Sequence, residues 1–216
     1  MSSHRHAFNI GLNVGGMVLP MLVGVLTVPG LLQRLGQEKF GVLALGWALV
    51  GYFGFLDLGM GRALTQYLAS ADQAGVSRQE QATVACAARR LLGSLALGLA
   101  LLLTLLLPWL AGFVQMPANL HMQTIAAAPL LALSVPLAMW FACSAGVLEA
   151  RSRFAAVNSV RIPAGVGNFV APWLVSLFTA DLFWVISSVV VVRLAGALGM
   201  AWWARPEFAQ PAPHWP

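Results

Sequence analysis

Gly54-Phe-Leu-Asp-Leu-Gly-Met-Gly-Arg-Ala-Leu-Thr-Gln-Tyr67 is the stretch on which the reading of this chain turns. It opens inside an apolar run that starts near Phe40, then sets Asp57 and Arg62 where a membrane helix should carry no charge. An ionisable residue at the centre of a spanning helix costs roughly 2.5–3.5 kcal/mol, so it faces other helices or a water-filled cavity. At 100° per residue Asp57 and Arg62 point about 140° apart, so the spacing alone gives no ion pair. Arg62, Thr65 and Gln66 share one broad face. The functional reading is a polar stripe lining a cavity. The competing reading lets Arg62 reach the nearer membrane surface along its own methylenes while Asp57 bonds a neighbouring helix.

Composition sets the class around that stretch. Of 216 residues, 59% are hydrophobic and only 9% are charged, with a mean hydropathy of +0.80. Soluble domains carry about 25% charged residues, and a soluble domain has nowhere to put this much apolar surface, so the chain is a polytopic membrane protein. The net charge of +5 is not a nucleic-acid signal: eleven of the twelve cations are arginines, scattered and without aromatic interleaving. They read as loop charge that sets membrane orientation. Cys86 and Cys143 form no paired motif and read as small buried hydrophobes. His4 and His6 could bind a metal as a pair, but they sit on an end expected to be disordered, and no nucleophile–base pair, phosphate loop or cofactor motif appears. The expectation is therefore no enzyme, no metal and no cofactor.

Outward from the opening stretch, the pattern predicts six transmembrane helices forming one all-α bundle over residues 1–204. They fall at about 8–32, 40–68, 88–113, 124–148, 155–178 and 182–203. Pro20, Pro129 and Pro136 should kink their helices. Asn13 and Gly16 lie about one turn apart in the first helix and add a polar, close-approach face. The third helix is the greasiest, with a leucine-rich face that reads as lipid-facing or packed. Thr179-Ala-Asp181 reads as a tight turn. The tail, residues 205–216, holds four prolines and is expected to be disordered.

Loop charge then orients the chain. With a cytoplasmic N-terminus, the inner side holds Arg5, Arg78, Arg89, Arg90, Arg151, Arg153 and Arg205, and the outer side holds Arg34 and Lys39. That satisfies the positive-inside rule with both termini cytoplasmic. Arg62, Arg161 and Arg193 remain within the membrane, all in the cytoplasmic halves of their helices. Three guanidiniums at one depth are costly unless they share water or an anion. The expected site is a cationic vestibule of Arg62, Arg161 and Arg193 facing a phosphate-bearing substrate, because arginine forks match phosphate oxygens. Asp57, Asn13, Thr65 and Gln66 are the expected polar cavity or coupling residues. The alternative is that each arginine reaches the inner headgroups. Glu149 and Asp181 lie only marginally near the membrane, which leaves Asp57 as the one good carboxylate for ion coupling.

Three stretches together resemble the N-terminal half of bacterial polysaccharide exporters of the O-antigen flippase type, in the multidrug/oligosaccharidyl-lipid/polysaccharide exporter superfamily. They are Val28-Pro-Gly-Leu-Leu-Gln-Arg-Leu-Gly-Gln-Glu-Lys-Phe-Gly-Val42, Phe55-Leu-Asp-Leu-Gly-Met-Gly-Arg-Ala-Leu-Thr65, and Gly146-Val-Leu-Glu-Ala-Arg-Ser-Arg-Phe-Ala-Ala-Val-Asn158 with Arg161. The resemblance covers roughly residues 8 to 175. It implies flipping of a lipid-pyrophosphate-linked oligosaccharide across the bacterial inner membrane for surface polysaccharide biosynthesis, with Asp57, Arg62 and Arg161 at the matching positions. Such exporters have about twelve to fourteen helices in two halves around a cavity, whereas six are expected here. The implied partner is a second six-helix half or a second copy of this chain, and a truncated, non-transporting fragment is a competing expectation. A cation-coupled multidrug exporter half is another, and it would want more membrane carboxylates than Asp57.

Overall fold

The computed structural model describes residues 3–55, 60–113 and 116–208, without the side chains of residues 3–14, 17, 50, 52–55, 60 and 61. Regular structure within them is helical throughout: α1 (Ser3–Phe55), α2 (Met60–Gln73), α3 (Arg78–Ala111), α4 (Ala118–Ala150), α5 (Phe154–Ser176) and α6 (Leu182–Phe208). Four stretches among the described residues are long and apolar enough to cross a membrane: Val18–Leu49, Arg78–Ala111, Ala118–Ala150 and Leu182–Phe208. This is a multi-pass helical membrane protein. The helix α5 is not among the four, because Asn158, Arg161 and Asn168 dilute its hydropathy.

The two segments expected at 8–32 and 40–68 map differently onto the chain. Gln33, Arg34, Gln37, Glu38 and Lys39 were expected as a loop, but such residues are good helix formers, and only Gly36 leaves helical geometry, with φ 78 and ψ 165. A glycine takes positive φ without the Cβ penalty. The chain reverses there. Gly24, before the break, lies against the Phe169 ring. Trp47, after it, packs against the same ring with the centroids 5.1 Å apart and the planes tilted by 60°. An unbroken helix would hold residues 24 and 47 about 35 Å apart. The two arms of α1, residues 3–35 and 37–55, therefore lie side by side. Residues 60–68 of the expected second segment fall in α2, and residues 56–59 lie outside the described residues.

Helix ends overrun the apolar segments elsewhere too. The polar stretch expected as a loop over residues 69–85 is mostly helix, with a turn only at residues 74–77. Ser77 accepts a hydrogen bond from the Glu80 amide at 3.2 Å and starts α3. Ser77 and Glu80 are spaced as in a capping box, a start signal visible in the sequence. At the other side of the molecule Asp181 Oδ1 accepts from the Phe183 amide at 2.9 Å, so this carboxylate caps α6. The tail expected from Arg205 is helical as far as Phe208, the end of α6, and residues 209–216 lie outside the described residues. Tertiary contacts hold that last turn despite Pro206. Glu207 pairs with Arg151 at 3.1 Å, and Phe208 lies under the Arg89 guanidinium at 4.3 Å.

Packing centres on α4, which lies against α2, α3 and α6 and more lightly against α1 and α5. Its residues 143–148 are all buried, as expected of a helix enclosed on every side. One face of α3 is the reverse: Leu91, Leu97, Leu101 and Leu105 stand exposed, which suits lipid. Small residues close the seam between α1 and α5. A Cβ on Gly165 would sit 2.6 Å from Pro20 Cγ, and one on Gly30 would sit 2.8 Å from Trp173 Nε1. The two backbones can therefore approach closely.

Candidate anion-binding cleft

On α5, Arg161, Gly165 and Asn168 stand at i, i+4 and i+7, which puts them on one face. Arg193 and Gly196 present a matching face of α6. Between them, with Leu137 and Phe141 of α4 and Pro20 of α1, lies a cleft of about 330 Å³. Both arginines line it. Glycines at 165 and 196 keep the walls thin enough for guanidiniums to fit: a Cβ on Gly196 would meet that of Ala164 at 3.1 Å.

The two arginines are held differently. Arg161 Nη2 donates to Glu149 Oε1 at 2.6 Å, with both side chains about a third exposed. The turn between α4 and α5 makes this pair possible: Ser152 takes φ 55, and the amides of Ser152 and Arg153 bond back to Glu149 and Leu148. Arg193 Nε donates to Asn168 Oδ1 at 3.2 Å, a neutral partner. Among the described residues no carboxylate forms a salt bridge with Arg193. A guanidinium has five N–H donors, so most of its bonding capacity remains for something entering the cleft. Arg161 and Glu149 cancel, and Arg193 leaves the cleft with a net positive charge. The apolar walls of Leu137, Phe141 and Phe169 raise the strength of any charge–charge contact made there.

Arg62 is elsewhere. It lies exposed on α2, which packs on α3 and α4 and makes no close approach to α5 or α6. Leu64, Leu68 and Ala71 form the buried face of α2, while Arg62 and Gln66 share the opposite, exposed face. Thr65 Oγ1 donates to the Gly146 carbonyl at 3.0 Å and ties α2 to α4. Asp57 lies outside the described residues, as does the side chain of Asn13. Two contributors were missed in the sequence. Asn168 shares the Arg161 face at i+7, and that spacing was a readable signal. Glu149 depends on a turn between helices that no spacing rule gives.

The fold and cleft define a class: a multi-pass helical membrane protein with arginines gathered between apolar helices. The chain belongs to the family described as "Polysaccharide biosynthesis protein", whose profile matches residues 7–214. A curated protein of Shigella flexneri, named "Putative O-antigen transporter", is 24% identical over 195 residues. That alignment takes in 90% of this chain and 46% of the Shigella protein, so the chain spans about half the length of this relative. No solved structure matches.

Proposed function

We propose that this chain takes part in moving a lipid-pyrophosphate-linked oligosaccharide across the bacterial inner membrane for cell-surface polysaccharide synthesis. The observation that carries the reading is the shared cleft of Arg161 and Arg193, two guanidiniums between apolar helices, one of them with no acidic partner among the described residues. Such a pair suits a pyrophosphate, whose oxygens accept from arginine forks. Family membership and the name of the Shigella relative support the same substrate class. The role is transport rather than catalysis. Six spans arise if the two arms of α1 each cross, the second together with α2, and α5 crosses beside α3, α4 and α6.

The exposed polar face of α2, carrying Arg62 and Gln66, is then the wall turned toward a second bundle. Transporters of this general kind work by rocking one bundle against another around a shared site. A second six-helix unit, whether further sequence, another chain or a second copy, supplies the opposite wall. In membranes lacking the native protein, Arg161→Gln and Arg193→Gln should each lower transport of the lipid-linked oligosaccharide at least tenfold, as expected when a charge-assisted contact is lost. Full transport by both variants would end the proposal.

A further inference from the structure

On α4, Pro136, Met139, Trp140 and Cys143 point away from the arginine cleft, roughly opposite to Leu137, Ala138 and Phe141 by helical rotation. They line a separate crevice of about 300 Å³ against α3. Its floor is apolar and buried: Leu92, Ala96, Met139 and Cys143. Its rim, Leu97 and Trp140, is exposed. Arg89 and Arg90 stand at one end. Neither forms a salt bridge among the described residues. Arg89 is steadied over the Phe208 ring, its guanidinium carbon 4.3 Å from the ring centroid. One turn further along, a Cβ on Gly93 would meet nothing within 4 Å, so the crevice is open at that point.

We propose that this crevice binds an anionic phospholipid, with its phosphate on Arg89 and Arg90 and one acyl chain lying over Gly93, Ala96 and Leu97 beside Trp140. The two halves of the site select together. A pair of cations alone would take any soluble phosphate, and an apolar crevice alone would take any acyl chain. Joined end to end over about 12 Å of helix, they fit a lipid with a negative headgroup. The site is distinct from the arginine cleft, since α4 separates them, and it does not depend on what the cleft transports.

The test is native mass spectrometry of the purified full chain in detergent. It is titrated with phosphatidylglycerol, with phosphatidylcholine of the same acyl chains, and with glycerol phosphate as a headgroup without chains. Phosphatidylglycerol should be retained at least fivefold more tightly than phosphatidylcholine, and glycerol phosphate should not be retained. Arg90→Gln, a change at an exposed residue that leaves packing intact, should weaken phosphatidylglycerol about fivefold, the effect of one cation near a headgroup. Gly93→Leu fills the open point and should weaken both lipids. Arg161→Gln should leave phosphatidylglycerol retention unchanged. Equal retention of the two lipids, or retention unaltered by both Arg90→Gln and Gly93→Leu, would overturn the proposal. So would retention of glycerol phosphate as tight as that of the lipid, or loss of phosphatidylglycerol in Arg161→Gln, which would put the lipid in the other cleft.

Discussion

Arg193 and Arg161 differ in what neutralises them, and that difference sets what each substitution should do. Arg193 is aimed by Asn168 alone among the described residues. Asn168→Ala removes the acceptor and leaves a guanidinium between apolar walls. It should destabilise the protein by roughly 1–3 kcal/mol, the range for hydrogen bonds to charged groups, read as a lower unfolding temperature in detergent. Glu149→Gln keeps the shape of the pair and removes its negative charge. Because both partners are about a third exposed, the stability change should be small, about 1 kcal/mol or less. Anion binding should tighten, since Arg161 is released from its internal counter-charge. Unchanged or weaker binding of a pyrophosphate lipid by Glu149→Gln would show that the carboxylate does not compete with ligand. The arginines were legible in the sequence because a charge inside an apolar run has few places to go. Their partners were not: Glu149 sits at a helix end, where it counted only as marginal to the membrane, and only the Ser152 turn swings it onto Arg161.

At the scale of elements, hydropathy located the apolar segments but not the helices. It reports which residues tolerate lipid, while helix continues through any run without a breaker. Arg78 to Arg90 is polar and still helical, and Gln33 to Lys39 is helical except at Gly36. Gly36 is therefore where the fold of the first two arms is decided. At φ 78 and ψ 165 Gly36 holds a conformation essentially open to glycine alone, so Gly36→Val should strain it by about 1–3 kcal/mol and loosen the pairing of the arms. Cysteine pairs placed across the arms and crosslinked in membranes should read that loosening. The α1–α5 seam makes a second prediction. Gly165→Ala places a methyl within 2.6 Å of the Pro20 ring, which is rigid, so overpacking should cost about 1–3 kcal/mol of stability. Gly98→Ala, whose added Cβ would meet nothing within 4 Å, is the matched control and should be neutral or slightly stabilising.

Across the whole molecule, charge separates the two ends. The end with the Gly36 reversal has Arg34 and Lys39, and Lys39 Nζ donates to the Ala180 carbonyl at 2.7 Å. The opposite end gathers Arg78, Arg89, Arg90, Arg151, Arg153 and Arg205. Arg151 is its hub: nearly buried, it pairs with Asp72 at 3.3 Å and Glu207 at 3.1 Å, and so joins α2, α4 and α6. Arg151→Ala leaves Glu207 without its cation, while Asp72 keeps Arg78 at 3.2 Å; with both carboxylates partly solvated the cost should be about 1–3 kcal/mol, below the 3–5 kcal/mol seen for fully buried pairs. The sequence showed this asymmetry in loop charge but not the network, which depends on α6 reaching Phe208. The claim on which function rests is that Arg161 and Arg193 act together on an anion, and its most direct test is binding of a polyprenyl pyrophosphate to the purified chain. The account predicts that Arg161→Gln and Arg193→Gln each weaken binding at least tenfold while Gly93→Leu leaves it unchanged. Wild-type affinity in both arginine variants would contradict it.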